Sequence, residues 1–374
     1  MKLIRKLVEF IINLFPTTNI ITFASYPDYT DNAYAVFQYI RKKKQKRYKL
    51  YWLIEESSKV DIIQKEIDET GGGAVAVSKK SIRGIWIFLR CRYNFTTHGI
   101  FEKIHVRQKP DKMVSLWHGM PIKGIGTKNK HQVAVAQNQD LMVASSEVFQ
   151  KIMSECFNIS IDKVLPIGQP RCDMLFEPTD FFEKRNINRY LYSKVGIWLP
   201  TYRMTIFGSG EHDGDYREGK ISFLDENDLS RLDSELGKIN QLLIIKLHPM
   251  DLLQEYEFGK YNNILIIKQK DFQEQLYPLL GSCDYLLSDY SSVSIDYDVC
   301  RKPMGFVLDD ADEYGESRGF IFDDITEVLP GTIIRDYQSL VDFINNPQYK
   351  EAKICINKYY DNKATERLLD YLGI

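Results

Sequence analysis

Leu242-Leu243-Ile244-Ile245-Lys246-Leu247-His248-Pro249 decides how this chain is read. So continuous an apolar run has no solvent face, which suits a parallel strand covered on both sides. It stops at a histidine, and the proline turns the chain away. The pattern recurs. Met113-Val114-Ser115-Leu116-Trp117 runs into His118-Gly119, and Tyr285-Leu286-Leu287 runs into Ser288-Asp289-Tyr290-Ser291-Ser292. Strands are read over 19–25, 49–54, 74–77, 93–97, 113–117, 141–144 and 164–167, then over 195–199, 242–247, 264–267, 285–287 and 303–307. Helical patterns alternate with them, which predicts two doubly wound α/β halves. Ligands of such sheets bind beyond the carboxyl ends of the strands, where His118, His248 and Ser291 all fall.

The bulk properties narrow the classes. A chain of 374 residues is too long for one ordinary core. With 44% hydrophobic and 27% charged residues it is a folded globular protein. A formal net charge of −2 gives no global attraction to nucleic acid, so any anion site is local. The six cysteines are scattered with no C-x-x-C pair, against a zinc site or a disulfide framework and in keeping with a reducing cytosol. No metal and no cofactor are expected. No apolar run approaches the roughly 20 residues of a spanning helix.

Residues 1–15 place Leu3, Ile4, Leu7, Val8, Ile11, Leu14 and Phe15 on one helical face, with Lys2, Arg5, Lys6, Glu9 and Asn13 mostly on the other. That pattern fits a helix lying in a membrane interface, and equally one packed on its own domain. Glu9 and Asn13 interrupt the apolar region a signal peptide needs. Four segments are expected: a membrane-interface helix over 1–18, a Rossmann-like domain over 19–185, a second Rossmann-like domain over 186–350, and a C-terminal helix over 351–374 packing back across the domains. The glycine-rich polar stretch 208–219 reads as a mobile loop, and Gly71-Gly72-Gly73 as a turn.

Several residues could carry chemistry. His118 is followed by Gly119, which lets a substrate approach the backbone, and by Lys123 in a glycine-rich segment. A base beside a cation suits attack on a phosphate; a hydrogen-bonded histidine capping a strand is the plainer alternative. His248 can donate to a phosphate oxygen or cap its strand. Arg203, just past Leu199-Pro200-Thr201-Tyr202, offers a planar fork for a phosphate or simply sits on the surface. Asp289, Ser291 and Ser292 precede a helical pattern. Helix capping and phosphate binding use the same donors there, and the sequence does not separate them. The acidic run from Asp309 to Glu313 reads as a solvated loop. The basic run over 41–47, and Arg83, Arg90 and Arg92 around Trp86 and Phe88, read as solvated faces or as attraction to anionic lipid. Neither a P-loop nor a dinucleotide fingerprint is present.

Taken together, these stretches resemble one family. Trp117-His118-Gly119-Met120-Pro121-Ile122-Lys123 looks like its WHGTPxK signature, Gly168-Gln169-Pro170-Arg171-Cys172-Asp173 its G-x-P-R-x-D element, and Pro200-Thr201-Tyr202-Arg203 its PTWR element. His248-Pro249, Ser288 to Ser292, Arg318-Gly319-Phe320 and the closing Asp361-Asn362-Lys363-Ala364-Thr365-Glu366-Arg367 follow in the same order. The family is the CDP-glycerol glycerophosphotransferases of teichoic-acid and related polymer synthesis.

The resemblance implies a GT-B-like fold, two Rossmann-type domains facing a central cleft, with 19–185 as the acceptor domain and 186–350 as the CDP-donor-binding domain. It implies transfer of glycerol phosphate from CDP-glycerol, or a related CDP-alditol, to a lipid-linked saccharide acceptor, with CMP released. The protein would be peripheral at the cytoplasmic face of the membrane. His118 and His248 become the candidate catalytic residues, His118 as general base. His248, Arg203, Ser291 and Ser292 become diphosphate binders, with Gly119, Lys123, Thr201, Asp289 and Arg318 as further substrate-site positions. Met120 and Tyr202 depart from the family's Thr and Trp. The length matches the primases, which add a first unit, more than the polymerases. A ribitol-using or polymerising member, a nucleotide-sugar glycosyltransferase and a non-catalytic membrane assembly subunit are the alternatives.

Overall fold

The computed structural model of the chain describes residues 15–43, 47–99, 112–128, 139–201, 219–309 and 319–374. Residues 1–14 of the amphipathic segment, the polar loop up to residue 218, Arg203 and Arg318 lie outside the described residues. The chain forms two compact units. The first comprises Met1–Met120, Ala134–Met174 and Asp361–Ile374; the second comprises Pro121–Val133 and Leu175–Tyr360.

In the first unit β1 (Ile20–Ala24), β2 (Lys49–Ile54), β3 (Ala74–Ser78), β4 (Tyr93–Thr96), β5 (Lys112–Ser115), β6 (Leu141–Ala144) and β7 (Val164–Pro166) form one sheet. All pairs are parallel, in the order β3-β2-β1-β4-β5-β6-β7. The connections carry α1 (Asp31–Lys42), α2 (Val60–Glu69), α3 (Ile82–Arg90) and α4 (Glu147–Phe157). The two-residue strand period sorts side chains between the faces. Ile21, Phe23, Leu50, Trp52 and Ile54 share a core with Val36, Phe37 and Ile40 of α1, whereas Leu53 and Val77 meet Ile87 and Phe88 of α3. Phe23 lies stacked 5.5 Å from Trp52 and 5.8 Å from Phe95, tying three strands together.

The second unit repeats the plan. Strands β8 (Lys194–Trp198), β9 (Gln241–Lys246), β10 (Ile264–Ile267), β11 (Tyr285–Ser288), β12 (Met304–Val307) and β13 (Thr332–Ile334) run parallel in the order β10-β9-β8-β11-β12-β13. The helices are α5 (Phe181–Lys184), α6 (Glu226–Lys238), α7 (Leu276–Ser282), α8 (Val293–Tyr297) and α9 (Tyr337–Asn345). Leu229, Leu232 and Leu236 of α6 and Leu340, Phe343 and Ile344 of α9 pack with Trp198, Ile245 and Leu287. Gly196 of β8 lies opposite Tyr285 of β11. A Cβ there would come within 2.2 Å of the Tyr285 ring, so only glycine admits this buried tyrosine.

This is the two-domain Rossmann-like α/β fold that the strand grammar predicts. All twelve expected strands form, each within two residues of its expected ends. The thirteenth, β13, is three residues long and follows Pro330-Gly331, too short for a periodicity to show. In both sheets the strand order reverses once, between β1 and β4 and between β8 and β11. Those are the switch points where doubly wound sheets bind ligands.

The division differs in detail from the segments read along the sequence. Residues 175–185 belong to the second unit. Phe181 and Phe182 are buried, the Arg185 guanidinium lies 4.1 Å over the Phe181 ring and pairs with Glu274, and the Leu175 carbonyl occupies the space beside Gly281 of α7. Pro121–Val133 also joins the second unit, where Gly124 N donates to Gly319 O and Ile321 N to Ile122 O around a Lys123–Phe320 bridge. Of 351–374 only α10 (Ala364–Leu372) is helical, and it belongs to the first unit. Leu368 and Leu369 complete that core, and the Arg367 Nε donates to the Ile167 carbonyl at 2.9 Å. Among the described residues no helix is long and apolar enough to cross a membrane.

Candidate functional site

His118 stands one turn of chain past β5, and its placement costs backbone strain. Leu116 is fully buried and its N–H continues the ladder to the Thr96 carbonyl at 2.8 Å. Trp117 then takes φ +52°, a conformation worth roughly 1–2 kcal/mol of strain for a residue with a side chain. Asn32, fully buried at the start of α1, holds that turn. Its Nδ2 donates to the carbonyls of Leu116 (3.3 Å) and Trp117 (3.0 Å) and to Gln169 Oε1 (2.8 Å), while its Oδ1 accepts from Arg171 N (2.9 Å). Gly119 follows at φ +131°.

The hydrogen bond at His118 fixes its tautomer. Nδ1 lies 3.3 Å from the Thr97 carbonyl oxygen, which can only accept, so Nδ1 carries the hydrogen. Nε2 therefore bears the lone pair, the form a general base requires. Burial holds the ring below the usual histidine range; Asp31 and the Thr97 carbonyl oppose that shift, and Arg171 reinforces it. Asp31 and Arg171 pair at 2.9 Å, both mostly buried, and act on the ring in opposite directions, Asp31 more strongly.

A second histidine shares this place. His98 follows β4, and its ring stacks on His118 with centroids 4.1 Å apart and planes within 8°. Its Nδ1 meets Thr97 Oγ1 at 2.9 Å. Burial first, then the neighbouring His118, push it down to about 3. The sequence reading passed over His98 although Asn94-Phe95-Thr96-Thr97-His98-Gly99 ends a strand in His-Gly, as the segment around His118 does.

The G-x-P-R-x-D element divides its work. Arg171 pairs with Asp31 beside the histidines. Asp173 accepts from the N–H groups of Ala364 (2.9 Å) and Thr365 (2.8 Å), capping α10, and burial raises its carboxyl to about 6. Two of the quoted stretches are thus halves of one structural joint within the first unit.

In the second unit the switch point carries a different set. Thr201, past β8, donates its N–H to Asp289 Oδ2 at 2.8 Å and its hydroxyl to Asp289 Oδ1. The carboxylate of Asp289, past β11, thereby ties the two strand ends that flank the switch point. Ser291 Oγ accepts from Val293 N at 3.4 Å and its carbonyl from Ser294 N and Oγ. Ser292 begins α8 without a side-chain cap bond. His248 lies past β9, next to β8 in the sheet. Its Nδ1 accepts from Met250 N at 3.2 Å, so in the neutral ring Nε2 carries the hydrogen, the reverse of His118. Two residues earlier, Lys246 lies buried over the Phe272 ring at 4.8 Å and 3.3 Å from Gln269 Oε1, and burial lowers its ammonium to about 8.

The sequence-chosen residues thus stand in two groups. His118 and Gly119 belong to the first unit; Lys123, Thr201, His248, Asp289, Ser291 and Ser292 belong to the second. Met120 and Ile122 are buried, so the methionine that departs from the signature is core-facing. Among the described residues no group of three His, Cys, Asp or Glu could hold a metal ion, and all six cysteines are unbridged.

Fold and strand-end chemistry define a class: a two-domain Rossmann-like α/β protein with a base-competent histidine in one unit, and in the other hydroxyl and carboxylate groups at the switch point with an imidazole past the adjoining strand. Within that class, residues 7–373 match the family described as CDP-Glycerol:Poly(glycerophosphate) glycerophosphotransferase, and the chain belongs to it. It is 25% identical over 403 residues to the teichoic acid glycerol-phosphate transferase of Staphylococcus aureus, covering 98% of this chain and 97% of that protein. It is 30% identical over 235 residues to the teichoic acid ribitol-phosphate polymerase TarL of the same organism, covering 60% of this chain and 40% of that one. The chain spans less than half the length of four polymerase relatives it matches, but 89% of the teichoic acid poly(glycerol phosphate) polymerase of Bacillus spizizenii. The wall teichoic acid polymerase TagF, in a structure soaked with CDPG, superposes with a TM-score of 0.75 at 21% identity over 98% of this chain and 92% of that one.

Proposed function

We propose that the protein transfers glycerol phosphate from CDP-glycerol to a hydroxyl of a lipid-linked saccharide, in primase-like fashion, during synthesis of teichoic acid or a related wall or capsule polymer. The observation that carries this is the His118 tautomer, Nδ1–H on the Thr97 carbonyl and a lone pair at Nε2, in a member of this family. The acceptor hydroxyl gives its proton to His118 Nε2. Its oxygen attacks the phosphorus that bears glycerol. The bond from that phosphorus to the bridging oxygen breaks, and CMP leaves with the electron pair. General base assistance contributes about 10²–10⁴-fold, and positioning and charge neutralisation supply most of the rest.

The second unit binds the donor. His248 donates from Nε2 to a diphosphate oxygen, with Lys123, Ser291 and Ser292 as further donors. Asp289 repels an anion and acts instead by orienting Thr201. Arg203 and Arg318 complete the set by family motif. Chemistry on a lipid-linked acceptor places the protein at the cytoplasmic membrane face as a peripheral protein. The α3 face supports this: Ile82 is 88% exposed, Ile85 and Trp86 are exposed beside Arg83 and Arg90, and Phe15 meets Trp86 edge-on at 4.8 Å.

The test is product analysis. The protein is incubated with CDP-glycerol or CDP-ribitol and a short lipid-linked disaccharide, and products are weighed by mass spectrometry. CMP and an acceptor carrying one phosphoglycerol are expected. Release of CDP would assign sugar-type transfer instead, and no turnover with either donor would favour a non-catalytic assembly subunit.

A further inference from the structure

We propose that His98 is a positioning residue for His118, its ring forming one wall of a slot that fixes the plane in which His118 presents Nε2 and keeps water from that face. The inference rests on His118 being the proton acceptor.

The geometry is specific. His118 has two ring neighbours, His98 with centroids 4.1 Å apart at 8° and Trp117 with centroids 4.0 Å apart at 32°. Two rings that close to one centroid cannot share a face, so the imidazole is held between them. Each wall is itself supported. Trp117 packs edge-on against Phe157 at 4.5 Å, and His98 packs against Tyr26 at 5.6 Å while bonding Thr97 Oγ1 at 2.9 Å. Thr97 therefore orders both histidines, its carbonyl on His118 and its hydroxyl on His98. β4 and β5 are hydrogen-bonded neighbours with Thr96 opposite Ser115, so the two strand ends set the ring spacing.

The charged groups facing the pair do not replace this wall. Asp31, at the start of α1, favours the protonated form of both rings; Arg171, past β7, opposes it at both; Lys79, past β3, opposes it at His98. Burial is the largest influence on each ring. A neutral, dry wall keeps His118 able to accept a proton, whereas a solvated imidazole would already hold one in mildly acidic conditions.

The experiment compares the full chain with His98→Ala and His98→Phe. His118 is titrated by imidazole NMR without substrate, and kcat and KM for CDP-glycerol are measured across pH. In His98→Ala, kcat falls on the order of tenfold to a hundredfold with KM for the donor unchanged, as a loosened base predicts. The His118 midpoint moves up toward 6.5, and the acid limb of kcat moves with it. His98→Phe keeps the wall without the titrating group and recovers most of both. An unchanged midpoint and unchanged kcat in His98→Ala overturn the inference, as does a loss that Phe fails to restore. The NMR arm needs no turnover, so it still reads the slot if His118→Ala proves active and the base assignment fails.

Discussion

Acidification should weaken the first unit through its stacked histidines, and the size of the effect follows from the structure. His98 titrates near 6.5 in an unfolded chain and at about 3 when folded. Between those values the unfolded state holds a proton that the folded state refuses. Stability therefore falls as the pH drops below 6.5. Each pH unit is worth about 1.4 kcal/mol, so His98 alone removes about 2 kcal/mol between pH 6.5 and pH 5. His118 is shifted in the same direction and adds to the loss. The assay is native-state hydrogen exchange on the amides of β1 and β4, read at pH 7.5 and pH 5 for the native chain and for His98→Phe. The variant cannot take up the proton in either state, so it should lose about 2 kcal/mol less. Equal losses in the two proteins would refute the reasoning.

Three further outcomes are expected. Gly196→Ala forces a Cβ into the buried Tyr285 ring and should cost about 1–3 kcal/mol in urea unfolding of the second unit. Asp173→Ala removes both acceptors from the first N–H groups of α10 and should cost about 1–2 kcal/mol, seen as faster amide exchange in α10. Deleting residues 1–15 should release the protein from vesicles rich in anionic lipid, and unchanged co-sedimentation would count against the membrane reading.

The strands were legible because a parallel sheet covered on both faces writes continuous apolar runs, as in 242–247. The candidate site was partly legible for a related reason. Such runs end where ligands bind, so His118, His248 and Ser291 announce themselves by position. His98 follows a strand that is just as legible, but Asn94 and Thr96 put polar residues into it, so no continuous apolar run points at that histidine. Tautomers are invisible in sequence, since they depend on which atom meets Thr97 O or Met250 N. The role of Asp173 was hidden because its partners, Ala364 and Thr365, lie almost two hundred residues away.

His118→Ala is the measurement closest to the central claim. CMP release from CDP-glycerol with a lipid-linked acceptor is followed alongside calorimetric donor binding. Loss of the base should lower kcat at least 10²-fold while leaving the donor Kd within about twofold, because the proposed donor binders all belong to the other unit. Near-normal turnover, or a donor affinity that collapses with the histidine, would contradict the account.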